Sequence, residues 1–102
     1  MTAVIIDEAE ADLETAFDYY EAKRPGLGGE LVDEFRRGVE RILKHPNAWQ
    51  PLDAVYRRCR LHRFPYGIIY RVDAAAGQIV IIAVMHLSRE PGNWRRRERR
   101  ST

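Results

Sequence analysis

The stretch VYRRCRLHRFPYGIIYRVDAAAGQIVIIAVMHLSR, residues 55 to 89, decides the fold. Between Val55 and Phe64 the chain alternates. Val55, Cys59 and Leu61 fall on one side with Arg57 between them, and Tyr56, Arg58, Arg60, His62 and Phe64 fall on the other. Period-two alternation marks a strand with one buried and one wet face, and here the wet face is mainly cationic. Tyr66 to Val72 is rich in β-branched and aromatic residues, which suit a pleated surface. Gln78 to Leu87 is almost wholly apolar, as a central strand buried on both faces requires. Pro65 separates the first two runs and Asp73 to Gly77 the last two. Connections this short join antiparallel neighbours, so the stretch predicts a three-strand meander.

Working outward, Ala3 to Ile6 reads as a short first strand. Asp7 is a candidate helix N-cap, and Glu8 and Glu10 suit a first turn because they oppose the helix dipole. Ala9, Leu13, Ala16, Phe17 and Tyr20 recur at helical spacing up to Arg24, since Pro25 disfavours helix in the residue before it. Gly26, Gly28 and Gly29 make a tight connection. Leu31, Phe35, Val39, Ile42 and Leu43 form a second stripe ending near His45. Neither helix can bury its stripe alone, so the hairpin should cover the apolar face of the sheet. Asn47 to Asp53 is a loop whose Trp49 either caps the edge of the core or stands exposed as an anchor for a partner. After Arg89 comes EPGNWRRRERRST. Pro91 and Gly92 end the last strand, and residues 91–102 read either as a short helical turn capped by Asn93 or as a flexible Arg-rich tail. The expected fold is α+β, one domain over 1–102: a short N-terminal strand and an αα-hairpin on one face of a small, mainly antiparallel sheet.

The net charge of +2 hides a division. Residues 1–56 carry 6 basic and 12 acidic side chains, a balance of −6; residues 57–102 carry 11 basic, all arginine, and 3 acidic, a balance of +8. Such asymmetry points to an anionic partner for the basic half. No apolar run approaches the roughly 20 residues of a membrane span, and the N-terminus is acidic where a signal peptide is basic and apolar, so a cytoplasmic location is expected. The single cysteine, Cys59, excludes an internal disulfide and a cysteine-rich zinc site, and reads as a small core residue.

The candidate site gathers Arg58, Arg60, His62, Arg71, His86, Arg89, Trp94 and Arg95 on the wet face and at the end of the last strand. Arginine positions phosphate and carboxylate but does not give up its proton, so it is no general base. In the basic half only His62 and His86 readily serve an acid–base site, with Tyr66 and Tyr70 as distant alternatives, and His86, three residues before Arg89, is the better placed. The glycines of RPGLGG follow no strand and precede no P-loop lysine. His45, His62 and His86 lie on different elements without metal-ligand spacing, so neither a metal nor a cofactor is expected.

AEADLETAFDYYE (residues 9–21), LxxEFxxxVERILxHP (31–46), RFPYGIIYRV (63–72) and IVIIAVMHLSREPGNW (79–94), in this order, resemble the RelE/ParE toxin superfamily over nearly the whole chain. The resemblance implies a toxin of a type II toxin–antitoxin operon, neutralised by a cognate antitoxin that wraps it. Arg58 or Arg60 matches the family's basic strand position and Arg89 the basic position after the last strand. HLSREPGNW is similar to ParE-like and plasmid-stabilisation members, the branch that inhibits DNA gyrase. The RelE-like branch, which cleaves messenger RNA on the ribosome, usually adds lysines and a C-terminal tyrosine. Here Lys44 is the only lysine of the second helix, and Trp94 stands where the tyrosine is expected. The expectation is therefore a ParE-like binding module that acts on gyrase. Arg58, Arg60, His62, Arg71, Arg89, Trp94 and Arg95 would meet the target or an acidic, partly disordered antitoxin segment. The alternative is an endonuclease with His86, Arg89 and Arg60 as its catalytic groups.

Overall fold

In the computed structural model, which describes residues 1–88 and 93–99, the meander is the middle of a five-stranded sheet. Its strands are β3 (Tyr56–Arg60), β4 (Tyr66–Asp73) and β5 (Gln78–His86). β1 (Thr2–Ile5) lies parallel to β5 at one edge, and the two-residue β2 (Gln50–Pro51) is antiparallel to β3 at the other, giving the order β1-β5-β4-β3-β2. The β4–β5 register shifts between Ile69, which faces Ala83, and Tyr70, which faces Ile81, so Ile82 has no opposed residue. An unopposed residue of this kind is a β-bulge, which bends and twists the strand.

The helices are α1 (Asp7–Lys23) and α2 (Leu27–Lys44), and they cover one face of the sheet. Ala9 and Ala16 are buried small residues that bring α1 close to the sheet; Leu31 and Ile42 are the fully buried residues of α2. These pack with Cys59, Leu61, Phe64, Ile68, Tyr70, Ile79 and Ile81 in one core, and Trp49 closes its edge. The hairpin link is held by α1 itself: Glu21 accepts the Gly26 N–H at 2.9 Å and the Gly28 N–H at 3.0 Å, two of the donors a helix N-terminus leaves without intrahelical partners. A Cβ on Gly28 would lie 2.9 Å from the Phe17 carbonyl oxygen, so only glycine permits this approach.

Several expectations need correction. Ile6, not Asp7, is the N-cap of α1, and no side chain caps it. β3 ends at Arg60 rather than Phe64 because Arg63 takes a left-handed conformation (φ 70°) in the turn. That turn swings Phe64 inward to the helix-side core and leaves His62 exposed off the sheet. Val55 precedes the strand and is 56% exposed. Gln50 and Pro51, within the expected loop, pair with Arg58 and Arg57.

The largest difference lies on the other face of the sheet. It was expected to be open, but it carries a second core of Ile69, Val80, Ile82, Ala83 and Trp94. Its cover is a 3-10 turn (Asn93–Arg95) running into the single-turn helix α3 (Arg96–Arg99). Trp94 is 1% exposed, with its ring edge-on to Tyr56 at 4.8 Å between centroids. Residues 93–99 of the Arg-rich segment thus belong to the fold.

Candidate partner-binding surface

The strand register fixes which candidates share the outer face. Tyr56 faces Arg71, Arg58 faces Ile69 and Arg60 faces Gly67, so Arg58, Arg60 and Arg71 emerge together. Arg71, whose side was least certain from the alternation alone, belongs with them. Gly67 is the flat spot that lets Arg58 lie across the sheet, since a Cβ there would meet the Arg58 Cγ and Cδ at 2.8 Å.

What the sequence could not show is how many of these arginines the chain neutralises itself. Arg71 donates through Nε to both carboxylate oxygens of Glu98 at 2.9 Å, and Tyr56 donates its hydroxyl to the same carboxylate at 2.6 Å. Arg95 reaches Asp53 at 3.1 Å and lies over the Trp94 ring. Arg97 binds Asp12 of α1 at 2.6 and 2.9 Å and the Ile82 carbonyl at 2.8 Å. Arg71, Trp94 and Arg95 therefore clasp the C-terminal turn to the sheet. They do not form a free docking surface, and for Trp94 the expected role is corrected outright, because a buried indole cannot meet a partner. Arg89 lies outside the described residues.

The clasp shifts the carboxyl and hydroxyl that form it. Burial on its own would raise the Glu98 carboxyl, but hydrogen bonds from Arg71 and Tyr56 outweigh it and hold the group below its ordinary value. Burial and the Glu98 carboxylate push the Tyr56 hydroxyl up to about 12. A depressed carboxyl adds stability above its unfolded pKa, about 4.3, and loses it as pH falls through the folded value. Urea midpoints should accordingly fall below pH of about 4, and Glu98→Gln should flatten that acid limb. An acid limb as steep in Glu98→Gln as in the parent would place the effect elsewhere.

A different group of arginines stays without carboxylate partners. At the β2–β3 edge Arg57 donates to the Trp49 carbonyl at 2.8 Å, and Arg58 to the Gln50 side-chain oxygen at 2.9 Å. Arg41, near the C-terminus of α2, donates to the Arg60 carbonyl at 3.1 Å. The Nε atoms of Arg41 and Arg58 are buried without a partner among the described residues, and Arg60 is exposed. None of these four forms an ion pair within the described residues. Arg41 escaped the sequence reading; its spacing of four from Arg37 and three from Lys44 was the available signal.

His86 belongs to neither group. It faces Tyr66 across β4–β5, one residue out of phase with the Arg60–Gly67–Met85 row, so it leaves the helix side of the sheet. There it borders a 390 Å³ cleft lined by Thr15, Tyr19, Tyr20, Tyr66 and Ser88, and its Nδ1 accepts the Ser88 N–H at 3.1 Å. The sheet thus separates His86 from Arg58 and Arg60. His62 is in the exposed β3–β4 turn, and the described residues hold no metal-binding cluster.

A family model described as ParE toxin of the type II toxin–antitoxin system, parDE, matches residues 4–91. The chain belongs to the ParE toxin family. Toxin ParE2 of Mycobacterium tuberculosis, in both the CDC 1551 / Oshkosh and H37Rv strains, is 39% identical over 83 residues, 80% of this chain and 77% of the relative. A solved structure titled Chromosomal ParDE TA system from P. aeruginosa shares the fold. Its TM-score is 0.74 at 21% identity, over 86% of this chain and 97% of that one. The ParE match ends at residue 91, before the Trp94 clasp, so the match itself does not account for the clasp. No helix among the described residues is long and apolar enough to cross a membrane.

Proposed function

We infer that this ParE-family toxin acts in the cytoplasm by binding DNA gyrase, arrests growth without chemistry of its own, and is neutralised by a cognate antitoxin. The observation that carries the non-enzymatic reading is the separation of His86 from the arginines. A phosphodiester-cleaving site needs its proton-transfer group within hydrogen-bond reach of the same phosphate that the cations hold. Here the imidazole and the guanidinium groups of Arg58 and Arg60 leave opposite faces of the sheet. Purified toxin is expected to block gyrase supercoiling while leaving ribosome-bound messenger RNA intact. Unimpaired supercoiling at saturating toxin, with new 5′ ends on ribosome-bound message, would replace this reading by the endonuclease one.

The antitoxin follows from charge. An acidic, partly disordered segment that orders on binding is the natural complement of Arg58 and Arg60, whose charge no carboxylate among the described residues cancels. Charge reversal at Arg58 and Arg60 together should weaken the complex by at least about tenfold at low salt and by less at high salt, because exposed pairs are screened. Equal affinity for parent and double variant at low salt would move the antitoxin to another surface.

A further inference from the structure

The helical hairpin carries uncancelled charge of the opposite sign. Glu10, Glu14 and Asp18 are exposed and recur every four residues along α1. None of the three forms an ion pair among the described residues. The helix dipole favours Glu10 in the first turn, but it does nothing for Glu14 and Asp18, and like charges four apart repel. A turn of about 100° per residue sets Glu14 and Asp18 opposite the buried Ala9 and Ala16, so this row points away from the sheet. Beside it a 330 Å³ groove between α1 and α2 is lined by Leu13, Glu14, Phe17, Asp18 and Val32. Helical periodicity had put Leu13 and Phe17 in the stripe that the sheet covers. Instead Leu13, Phe17 and Val32 are half-buried and pack into neither core. The floor is firm, because Phe17 lies against Gly28 in the close approach that only glycine permits.

We propose that this groove docks a basic amphipathic helix of another protein. The rim decides the sign of the partner: Glu14 and Asp18, continued by Glu10, call for Lys or Arg beside the apolar anchors. The floor decides its form. Leu13 and Phe17 share the four-residue period of the acidic row, a step of about 6 Å along the axis, which a helix laid in the groove repeats with its own apolar and basic rows. An extended segment would bring unpaired backbone groups onto an apolar floor with no sheet edge to receive them. The acidic segment expected at Arg58 and Arg60 is repelled here and belongs on the opposite side of the molecule, so both surfaces can be filled at once. A second copy of this chain fits poorly. Its own uncancelled Arg58 and Arg60 face Ile69 and Gly67, which are buried and offer no apolar anchor.

Fluorescence anisotropy of a labelled helical peptide, with leucines at the helical anchor spacing and lysines flanking them, titrated with full-length toxin, tests this directly. The peptide should bind at low salt, and its counterpart with glutamate for every lysine should not. Glu14→Lys combined with Asp18→Lys should weaken binding by at least about tenfold at low salt and by less at high salt, because exposed charges are screened. Glu14→Gln with Asp18→Asn repeats the test with the charges removed and the side-chain size kept. Val32→Thr, which replaces a floor methyl by a hydroxyl, should weaken binding by about fourfold or more at either salt concentration, since apolar contact is not screened. No binding of the lysine peptide at low salt overturns the proposal. So does equal affinity in the Glu14 and Asp18 variants, or equal binding of the glutamate peptide. Sedimentation of the toxin alone as a dimer that the same variants dissociate would give the groove to a second copy and overturn it too.

Discussion

Trp94→Ala is expected to cost about 3–5 kcal/mol of unfolding free energy, the range for truncating a large buried aromatic. Trp94 is 1% exposed and closes the outer core over Ile69, Val80 and Ile82. Its removal takes away the ring that Tyr56 meets edge-on and the surface on which the Arg95 guanidinium rests. For a domain near 100 residues that corresponds to a Tm lower by on the order of 15–25 °C. The helix-side core shares no fully buried residue with the outer one, so a destabilised but folded variant is expected. Trp94→Phe should recover most of the loss. A denaturation midpoint within experimental error of the parent would mean that the C-terminal turn does not cover the sheet in solution.

That outer core explains what the sequence did and did not disclose. The helical stripes, the breaks at Pro25 and Pro46 and the three meander strands were legible because one local periodicity decides each. β5, already expected to be buried on both faces, held a clue to the second core. Ile79 to Val84 is apolar at every position, so both faces of that strand need a cover. The hairpin supplies only one. Counting covers against faces would have assigned Trp94 to the second core. The same reading gave Arg71 and Arg95 to a partner because alternation reports the face of a residue but not what lies on it. Glu98, 27 residues beyond Arg71, and Asp12, 85 residues before Arg97, are contacts that no local pattern encodes.

The acidic first half and basic second half look different once these pairs are known. Part of that asymmetry is the two halves binding each other: Asp12, Glu30 and Asp53 come from the first and Arg97, Arg63 and Arg95 from the second. The informative quantity for function is the charge left after this cancellation. Among the described residues Arg58 and Arg60 on the outer face, and Arg41 and Arg57 on the helix side, stand without acids. On the outer face a partner recognised by charge is expected at the Arg58–Arg60 end of β3 rather than over the whole sheet.

Asp12→Ala is expected to destabilise by about 3–5 kcal/mol, as large an effect as Trp94→Ala, for an electrostatic reason. β1 pairs with β5 only as far as Ile5 and Ile81, after which the chain turns into α1 and leaves the next stretch of the β5 edge bare. Unpaired edge groups are costly when water cannot reach them. Asp12 accepts the Val84 N–H at 3.0 Å and Arg97 donates to the Ile82 carbonyl at 2.8 Å, so the ion pair does the work of a missing strand. Both side chains are nearly buried, at 17% and 15% exposure, so solvent screens the pair little. Removing the carboxylate strands the guanidinium and the amide together. Arg97→Ala leaves the carboxylate, which Val84 still serves, and the Ile82 carbonyl, whose lone pairs tolerate a lost donor better than a buried amide does, and should cost less. The double variant should be more stable than the sum of the single losses implies, with a coupling of about 1–3 kcal/mol. Additive losses in that cycle would show that the two side chains act independently at the edge. Hydrogen exchange at the Val84 amide gives a second reading: it should accelerate in Asp12→Ala and stay slow in Arg97→Ala.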